Sequence, residues 1–152
     1  MFSRILVAVD GSSDSDRAVL AAAKIANAHG SALTLCHVSY IPNHYRDDLV
    51  EGLRESVRED GRRILEHAGR VAEKSGVPAT PRLVTSGHPI EQILELAREI
   101  DATLIVAGAR GKTEDRRTKL GSVSTGLAAR ATCSLLLVRR EREDREGGTA
   151  GP

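Results

Sequence analysis

A stretch of glycines and serines in the last third of the chain has the composition and spacing of a phosphate-binding loop. Gly108 and Gly111 follow the apolar run Leu104–Ala107, and Gly121 comes after nine intervening residues, directly before Ser122-Val123-Ser124. Glycine lets backbone N–H groups approach an oxyanion because no Cβ stands in the way. A helix that begins near Ser122 would add unpaired N–H donors and a partial positive charge. The spacing therefore predicts a site for a phosphate group.

The segment from residue 110 to residue 119 is basic, which suits an anionic ligand. Five basic residues outnumber two acids there: Arg110, Lys112, Arg116, Arg117 and Lys119 against Glu114 and Asp115. Arg110 lies between the two close glycines and is included in the predicted site. The alternative for Arg110 is a loop charge that faces solvent.

One familiar phosphate loop can be excluded from the sequence. Gly111-Lys112-Thr113 looks like the end of a Walker motif, Gly-x4-Gly-Lys-Ser/Thr. That motif requires a glycine at position 106, where this chain has Val106 inside an apolar run. The interpretation that stays open beside a phosphate site is a surface loop whose glycines only make turns.

Size and composition indicate one domain without an obvious nucleic-acid or membrane partner. The chain has 152 residues, 40% hydrophobic and 28% charged, with a net charge of +1 and three aromatic residues. Balanced charge and few aromatics argue against a nucleic-acid surface. We find no long apolar run and no leader pattern, so we expect a cytoplasmic protein. Cys36 and Cys133 are interpreted as small buried residues, and the histidines show no metal-site spacing.

Apolar runs alternate with amphipathic stretches along the chain, which predicts strands that alternate with helices. Gly30, Gly76 and Pro89 are helix stop and start signals. Ser13, with Asp16 three residues on, resembles a capping box for the first helix. The predicted strands cover residues 5–9, 32–38, 80–85, 103–107 and 135–138, and the predicted helices cover about residues 13–29, 47–74, 89–100 and 122–130.

The second predicted helix is the longest, and its apolar residues recur at close to helical spacing. One face of this helix is therefore expected to pack against the sheet. The residues of the expected face are Leu49, Leu53, Val57, Ile64, Ala68 and Val71.

This alternation predicts a single-domain α/β protein with an open five-stranded parallel sheet and helices on both faces. The expected type is Rossmann-like, or adenine nucleotide alpha hydrolase-like, with strand order 3-2-1-4-5. Such sheets bind ligands beyond the carboxyl ends of their strands, where the strand order reverses. Asp10, Val38 and the Gly108–Gly111 loop all lie at strand ends, so we expect them to meet in one crevice. The domain is taken as residues 1–139, and residues 140–152 are predicted to be a disordered charged and Gly-rich tail.

The chain resembles the ATP-binding branch of the universal stress protein family over roughly residues 2–139. The resemblance rests on Val9-Asp10-Gly11-Ser12 after the first strand, His37-Val38 at the end of the second, and the Gly108-x2-Gly111-x9-Gly121-Ser122 motif. The closing Cys133–Arg139 segment also looks like the family's last strand. The family often has proline where this chain has Ser134, a departure that lies away from the expected nucleotide site.

The resemblance implies an ATP site in which Mg²⁺ or Mn²⁺ rides on the phosphates, without protein metal ligands. Asp10 and the Val38 backbone would hold the adenine and ribose. The residues around the ribose and triphosphate would be Gly108, Gly111, Gly121, Ser122, Val123 and Ser124. These roles are chemically sensible, because a carboxylate accepts hydrogen bonds from ribose and serines at a helix start donate to phosphate oxygens. Two simpler alternatives stay open: Asp10 could cap the first helix or stabilise its N-terminus, and Ser122 could cap the fourth.

The resemblance favours a nucleotide-dependent regulatory protein that responds to stress and is read by a partner protein not identified from the sequence. It also implies homodimers through the strand Ser134–Val138, an apolar edge that invites pairing with a second copy. A slow ATPase or phosphotransferase is the first alternative, but no catalytic residue is evident and we predict no enzyme. A dimerisation module without nucleotide is another. A pyrophosphate loop of the adenylating type is disfavoured because Asp10 would repel the ligand.

Overall fold

Strands and helices alternate in the computed structural model, which describes residues 1–41, 47–112 and 119–140. The predicted tail at residues 141–152 lies outside the described residues, so its disorder stays a prediction. Within the described ranges the strands are β1 (Arg4–Ala8), β2 (Ala32–Val38), β3 (Ala79–Val84), β4 (Leu104–Gly108) and β5 (Ser134–Val138). The helices are α1 (Ser13–His29), α2 (Asp47–Lys74), α3 (Pro89–Glu99) and α4 (Ser122–Arg130). The predicted bounds are correct to within about one residue at most ends.

The strands form one parallel sheet in the order β3-β2-β1-β4-β5, which confirms the predicted fold class. β1 lies at the centre, with β2 on one side and β4 on the other. The chain moves outward from β1 to β3 and then returns to the centre to place β4. The strand order therefore reverses between β1 and β4, and the loops that follow these two strands lie side by side.

Two apolar layers bury the two faces of the sheet. Ile5 and Val7 of β1 face α1 and α2, where Leu65 belongs to the same cluster. Leu6 of β1 belongs to the opposite cluster, which includes Leu127 of α4. Because successive side chains of a strand point to opposite faces, a central strand covered on both faces must be continuously apolar. Within the described residues, no helix combines the length and apolar composition that crossing a membrane requires.

Two helix caps lie one residue away from the predicted positions. Ser12 caps α1, since its Oγ accepts the Ser15 N–H at 3.1 Å, and the capping box predicted at Ser13 is therefore wrong. Gly121 is the N-cap of α4, so the alternative of Ser122 as the cap is wrong as well. Several serines near each helix start could cap it. The backbone turn decides among them, and for α1 that turn requires Gly11 at φ 82°.

The buried face of α2 is rotated from the expected one. Leu49, predicted to be in the core, is 62% exposed, so that part of the prediction is wrong. The residues of α2 that are buried are Gly61, Leu65, Ala68 and Ala72. These residues are spaced four, three and four positions apart, as expected for one face of a helix. One of them is a glycine, which has no apolar side chain and was therefore not counted when the face was predicted.

Candidate functional site

A cleft opens at the carboxyl ends of β1, β2 and β4, at the point where the strand order reverses. The empty space in this cleft is about 660 Å³ when its open mouth is counted. All of the residues predicted to bind the ligand line this one cleft: Asp10, Val38, Gly108, Arg110, Gly111, Gly121, Ser122, Val123 and Ser124. The fold thus brings together residues that are up to 114 positions apart in the chain, from Asp10 to Ser124. Their role toward a ligand stays a prediction.

The first turn of α4 presents backbone N–H groups to the cleft. Its N-cap, Gly121, has no side chain that could bond them, and the first bond within the helix runs from the Thr125 N–H to the Gly121 carbonyl at 3.0 Å. The N–H groups of residues 122 to 124 therefore have no acceptor within their own helix. Because all three residues line the cleft, this turn has the properties of an anion site.

The loop after β4 uses its own N–H groups differently from the expected cradle. The Ala109 N–H donates to the Val138 carbonyl at 2.8 Å. The Arg110 N–H donates to Asp14 Oδ2 and the Lys112 N–H to Asp10 Oδ2, each at 3.2 Å. These three donors already have protein acceptors. We therefore expect an anion to meet the donors of α4, whereas these three N–H groups of the loop hold parts of the protein together.

Gly108 is required by the packing of a helix. A Cβ at this position would lie 2.8 Å from the Asp14 carbonyl carbon and 2.9 Å from the Ser15 nitrogen. Real Cβ atoms do not come so close to a backbone, so any larger residue would push the first turn of α1 away from β4. This requirement holds whether or not a ligand is bound, and it gives the first glycine of the motif a structural role that its spacing did not suggest.

The Asp10 carboxylate joins the two loops that border the cleft. Its Oδ1 accepts the Ser12 N–H at 2.9 Å, and its Oδ2 accepts the Lys112 N–H. A carboxylate has about four acceptor positions, so two remain for a ligand hydroxyl or amino group. The alternative role of Asp10 as the cap of α1 is wrong, because Ser12 fills that position.

Asp14 does not line the cleft but contacts Arg110, which does, and sequence reasoning missed this supporting residue. Its side chain is buried, and its Oδ2 lies 3.6 Å from Arg110 Nε as well as accepting the Arg110 N–H. The Arg110 guanidinium is therefore paired with the buried carboxylate of Asp14. The alternative of a solvated loop charge is wrong. Only the fold brings residues 14 and 110 together. Acidic residues are common in the first turn of a helix, so the position of Asp14 in the sequence gave no specific signal for this role.

Apart from His37, the wall of the cleft on the side of β2 and α3 is apolar. It includes Ala8, Cys36, Pro89 and Ile93. Cys36 is 1% exposed, and this burial raises the pKa of its thiol to about 12, so the group stays uncharged at neutral pH. Cys36 is buried as predicted, whereas Cys133 is only partly buried. An uncharged surface and helix N–H donors within one cleft suit a ligand with an apolar ring and an anionic group.

The two serines of α4 differ in what they can offer a ligand. The Ser124 hydroxyl donates to the Gly108 carbonyl at 2.8 Å, so it cannot also donate its hydrogen to a phosphate, as the sequence had suggested. Ser124 can contribute its backbone N–H. Among the described residues, no group of three His, Cys, Asp or Glu side chains is arranged to hold a metal ion.

The fold and the cleft define an open α/β protein with a cleft at the point where the strand order of its parallel sheet reverses. The chain matches the sequence profile of the Universal stress protein family over residues 1–139. It belongs to that family. The Universal stress protein YxiE of Bacillus subtilis is 35% identical over 153 residues, covering 91% of this chain and 100% of that protein.

Two solved structures of universal stress proteins are similar to this chain. The universal stress protein UspA from Lactobacillus plantarum has a TM-score of 0.81 at 24% identity and covers 91% of this chain and 98% of its own. A universal stress protein solved in complex with cAMP is 28% identical, with a TM-score of 0.71, and covers 90% of this chain and 97% of its own. The first supports the fold, and the second is a similar protein with an adenine nucleotide.

Proposed function

We propose that the cleft binds an adenine nucleotide, with ATP as the expected ligand, and that the protein is a nucleotide-dependent regulator in the response to stress. The observation that carries this proposal is the first turn of α4, whose N–H groups have no acceptor within the helix and line the same cleft as an apolar wall. The similar protein in complex with cAMP supports the choice of an adenine nucleotide. A cytoplasmic location and a partner protein that reads the bound state remain predictions.

Each part of the nucleotide has a matching part of the cleft. The adenine ring would contact the apolar wall near Val38 and Ile93, and the ribose hydroxyls would donate to Asp10. The phosphates would accept N–H groups from the first turn of α4, where the helix dipole adds a favourable charge. Mg²⁺ or Mn²⁺ would be held by the phosphates and would offset their negative charge, since Asp10 is the only lining carboxylate within the described residues.

Ser122 allows a direct test of the phosphate site. It is the first residue of α4, a position where proline is well tolerated because its missing N–H breaks no helical bond. Ser122→Pro removes one backbone donor and the hydroxyl, whereas Ser122→Ala removes the hydroxyl alone. The difference between the two variants therefore isolates the N–H group. Calorimetric titration with ATP, AMP, cAMP, GTP and adenosine measures it.

We expect ATP to bind the native protein and to bind Ser122→Pro about 10- to 100-fold more weakly than Ser122→Ala, as the loss of a hydrogen bond to a charged group predicts. Adenosine carries no phosphate, so its affinity should be equal in both variants. Equal ATP affinity in the two variants would exclude the first turn of α4 as the phosphate site. A native protein that binds none of these ligands would favour the interaction module without nucleotide.

We further propose that the protein binds its nucleotide without efficient hydrolysis. Both oxygens of Asp10 already accept backbone N–H groups, and phosphoryl transfer needs a base placed in line with the transferred group. Phosphate release from ATP and Mg²⁺ should therefore stay close to a protein-free control over hours. Steady release that disappears when EDTA is added would favour the alternative of a slow ATPase or phosphotransferase.

We also propose a homodimer through β5, and the two edges of the sheet differ in a way that supports it. β3 contains Pro81 and follows Pro78, and proline on an edge strand opposes pairing with another chain. β5 has no proline, and its residues Leu135–Val138 are partly exposed. The Val138 carbonyl accepts the Ala109 N–H, so the backbone of Val138 faces β4 and the N–H of Leu135 faces the open edge.

Sedimentation equilibrium at micromolar concentration should show a dimer for the native chain. Leu135→Pro removes an N–H that points away from β4, so it should shift the protein to the monomer while its circular dichroism stays native. A native chain that sediments as a monomer would overturn the dimer proposal without affecting the nucleotide site.

A further inference from the structure

His37 lies at the end of β2 and contacts the backbone that carries Asp10. Its Nδ1 is 2.8 Å from the Val9 carbonyl oxygen. A carbonyl oxygen can only accept, so Nδ1 carries the hydrogen and donates it. The neighbouring backbone groups are held as well, because the Val9 N–H donates to the Cys36 carbonyl at 2.8 Å and the Asp10 N–H to Ser15 Oγ at 3.2 Å.

These bonds fix the direction in which the Asp10 side chain leaves the backbone. The peptide group between Val9 and Asp10 is bonded at its carbonyl by His37 and at its N–H by Ser15. Rotation of this peptide would swing the Asp10 carboxylate away from the N–H groups of Ser12 and Lys112, which donate to it. The hydrogen bond from His37 therefore restrains the carboxylate that we expect to meet the ligand.

The His37 ring is held in turn by α2. A Cβ at Gly61 would lie 3.0 Å from His37 Cδ2, 2.9 Å from Ser39 Oγ and 2.7 Å from Leu83 Cδ1. Gly61 is buried on the face of α2 that packs against the sheet. The helix thus contacts the ring on the side away from the bond to Val9. This contact has no space for even one methyl group, so a displacement of α2 at Gly61 would be passed to the ring.

We propose that His37 is a positioning residue for the Asp10 carboxylate, and that α2 sets its position through the contact at Gly61. The affinity of the cleft is thereby coupled to the placement of a helix that contributes no residue to the lining described above. This inference rests on the proposed nucleotide site, but its first test does not require a ligand.

The test in the unliganded protein is amide hydrogen exchange at Ser12 and Lys112, the two N–H groups that donate to Asp10. His37→Leu removes the donor, and exchange at both amides should rise about tenfold or more, which corresponds to the loss of about 1.4 kcal/mol of protection. His37→Asn keeps an N–H donor two bonds from Cβ, so it should restore most of the protection. Unchanged exchange at both amides in His37→Leu would overturn the proposal, provided that core amides such as Ile105 stay protected.

The contact with α2 is tested by matched glycine substitutions on one helix. Gly61→Ala should speed exchange at Ser12 and Lys112, because its Cβ would meet the ring. Gly69→Ala is the control, since a Cβ there meets nothing within 4 Å, and exchange at both amides should stay native. Equal exchange in the two alanine variants would overturn the role of α2.

The effect on ligand binding is measured with the same variants and ATP. Affinity should fall in His37→Leu and Gly61→Ala, recover in His37→Asn and stay native in Gly69→Ala. In an Asp10→Ala background the effect of His37→Leu on affinity should vanish, because a positioning residue acts through the group that it positions. An undiminished effect in that background would overturn the proposal. Absence of nucleotide binding by the native protein would instead reject the proposed function, and the exchange result would still decide whether His37 restrains Asp10.

Discussion

The Ser124 hydroxyl donates a 2.8 Å hydrogen bond to the carbonyl of Gly108 and so ties the first turn of α4 to the last residue of β4. Ser124 is 3% exposed, which makes this a buried bond between two elements of the cleft. The N–H groups of α4 can line the cleft only if the helix starts at this place. Much of the site is thus held by side chains whose polar groups face the protein and not the ligand.

Removal of this hydroxyl should destabilise the protein, whereas the same change elsewhere should not. Ser124→Ala leaves a buried carbonyl with one partner fewer and should lower the free energy of unfolding by about 1–3 kcal/mol. Ser31→Ala is the matched control. Among the described residues, its Oγ is a buried side-chain oxygen without a hydrogen-bond partner, so its removal should be neutral or stabilising. Urea denaturation measures both, and equal losses would contradict the bond between Ser124 and Gly108.

Gly108→Ala should destabilise the protein because the added methyl group would overlap the first turn of α1. The added methyl group would lie within 2.9 Å of Asp14 Cβ and Ser15 N, and relief of such overlap typically costs about 1–3 kcal/mol. Gly52→Ala places the same methyl group in open space on α2 and should raise stability by about 0.5–1 kcal/mol. Thermal unfolding of the two variants distinguishes packing from a general intolerance of glycine replacement, because only packing predicts opposite signs.

Asp14 and Arg110 should be energetically coupled. Oδ2 of Asp14 lies 3.6 Å from Arg110 Nε, with the Asp14 side chain 5% and the Arg110 side chain 27% exposed. In a cycle of Asp14→Ala, Arg110→Ala and the double variant, we expect a coupling of about 0.5–3 kcal/mol in the free energy of unfolding. Asp14→Ala alone should be the more damaging change, since it also leaves the Arg110 N–H without its acceptor. Strictly additive effects would show that the ion pair contributes nothing.

Cys36 should make the protein sensitive to high pH. Burial raises the pKa of its thiol from an ordinary value of 9.0 to about 12, so above pH 9 the unfolded chain loses this proton before the folded protein does. The stability contributed by Cys36 is therefore fully present below pH 9 and is lost between pH 9 and 12. Cys36→Ala should flatten the fall in unfolding free energy across this range. Cys133→Ala, with a thiol that is only partly buried, should flatten it less, and equal slopes would contradict the assignment to Cys36.

Local sequence patterns were sufficient for the elements and the order of the sheet. The strand β1 and the end of α1 at Gly30 can be predicted from the local sequence alone. A continuous apolar run indicates a strand buried on both faces, and a glycine supplies the backbone freedom that the end of a helix needs. The face of α2 that is buried could not be predicted from the sequence. Its buried stripe includes Gly61, which lies so close to Leu83, Ser39 and His37 that a Cβ there would overlap them.

Sequence patterns alone were enough to predict the fold, the family and the set of residues that line the cleft, because strand ends of a parallel sheet share one edge. Only the tertiary structure decided what each residue does there. Gly108 makes room for α1, Ser124 bonds β4, and Asp14 pairs with Arg110 across 96 positions of chain. The sequence shows which chemical groups are present and how far apart they lie along the chain. The direction of each donor and acceptor depends on neighbouring residues that come together only in the folded protein.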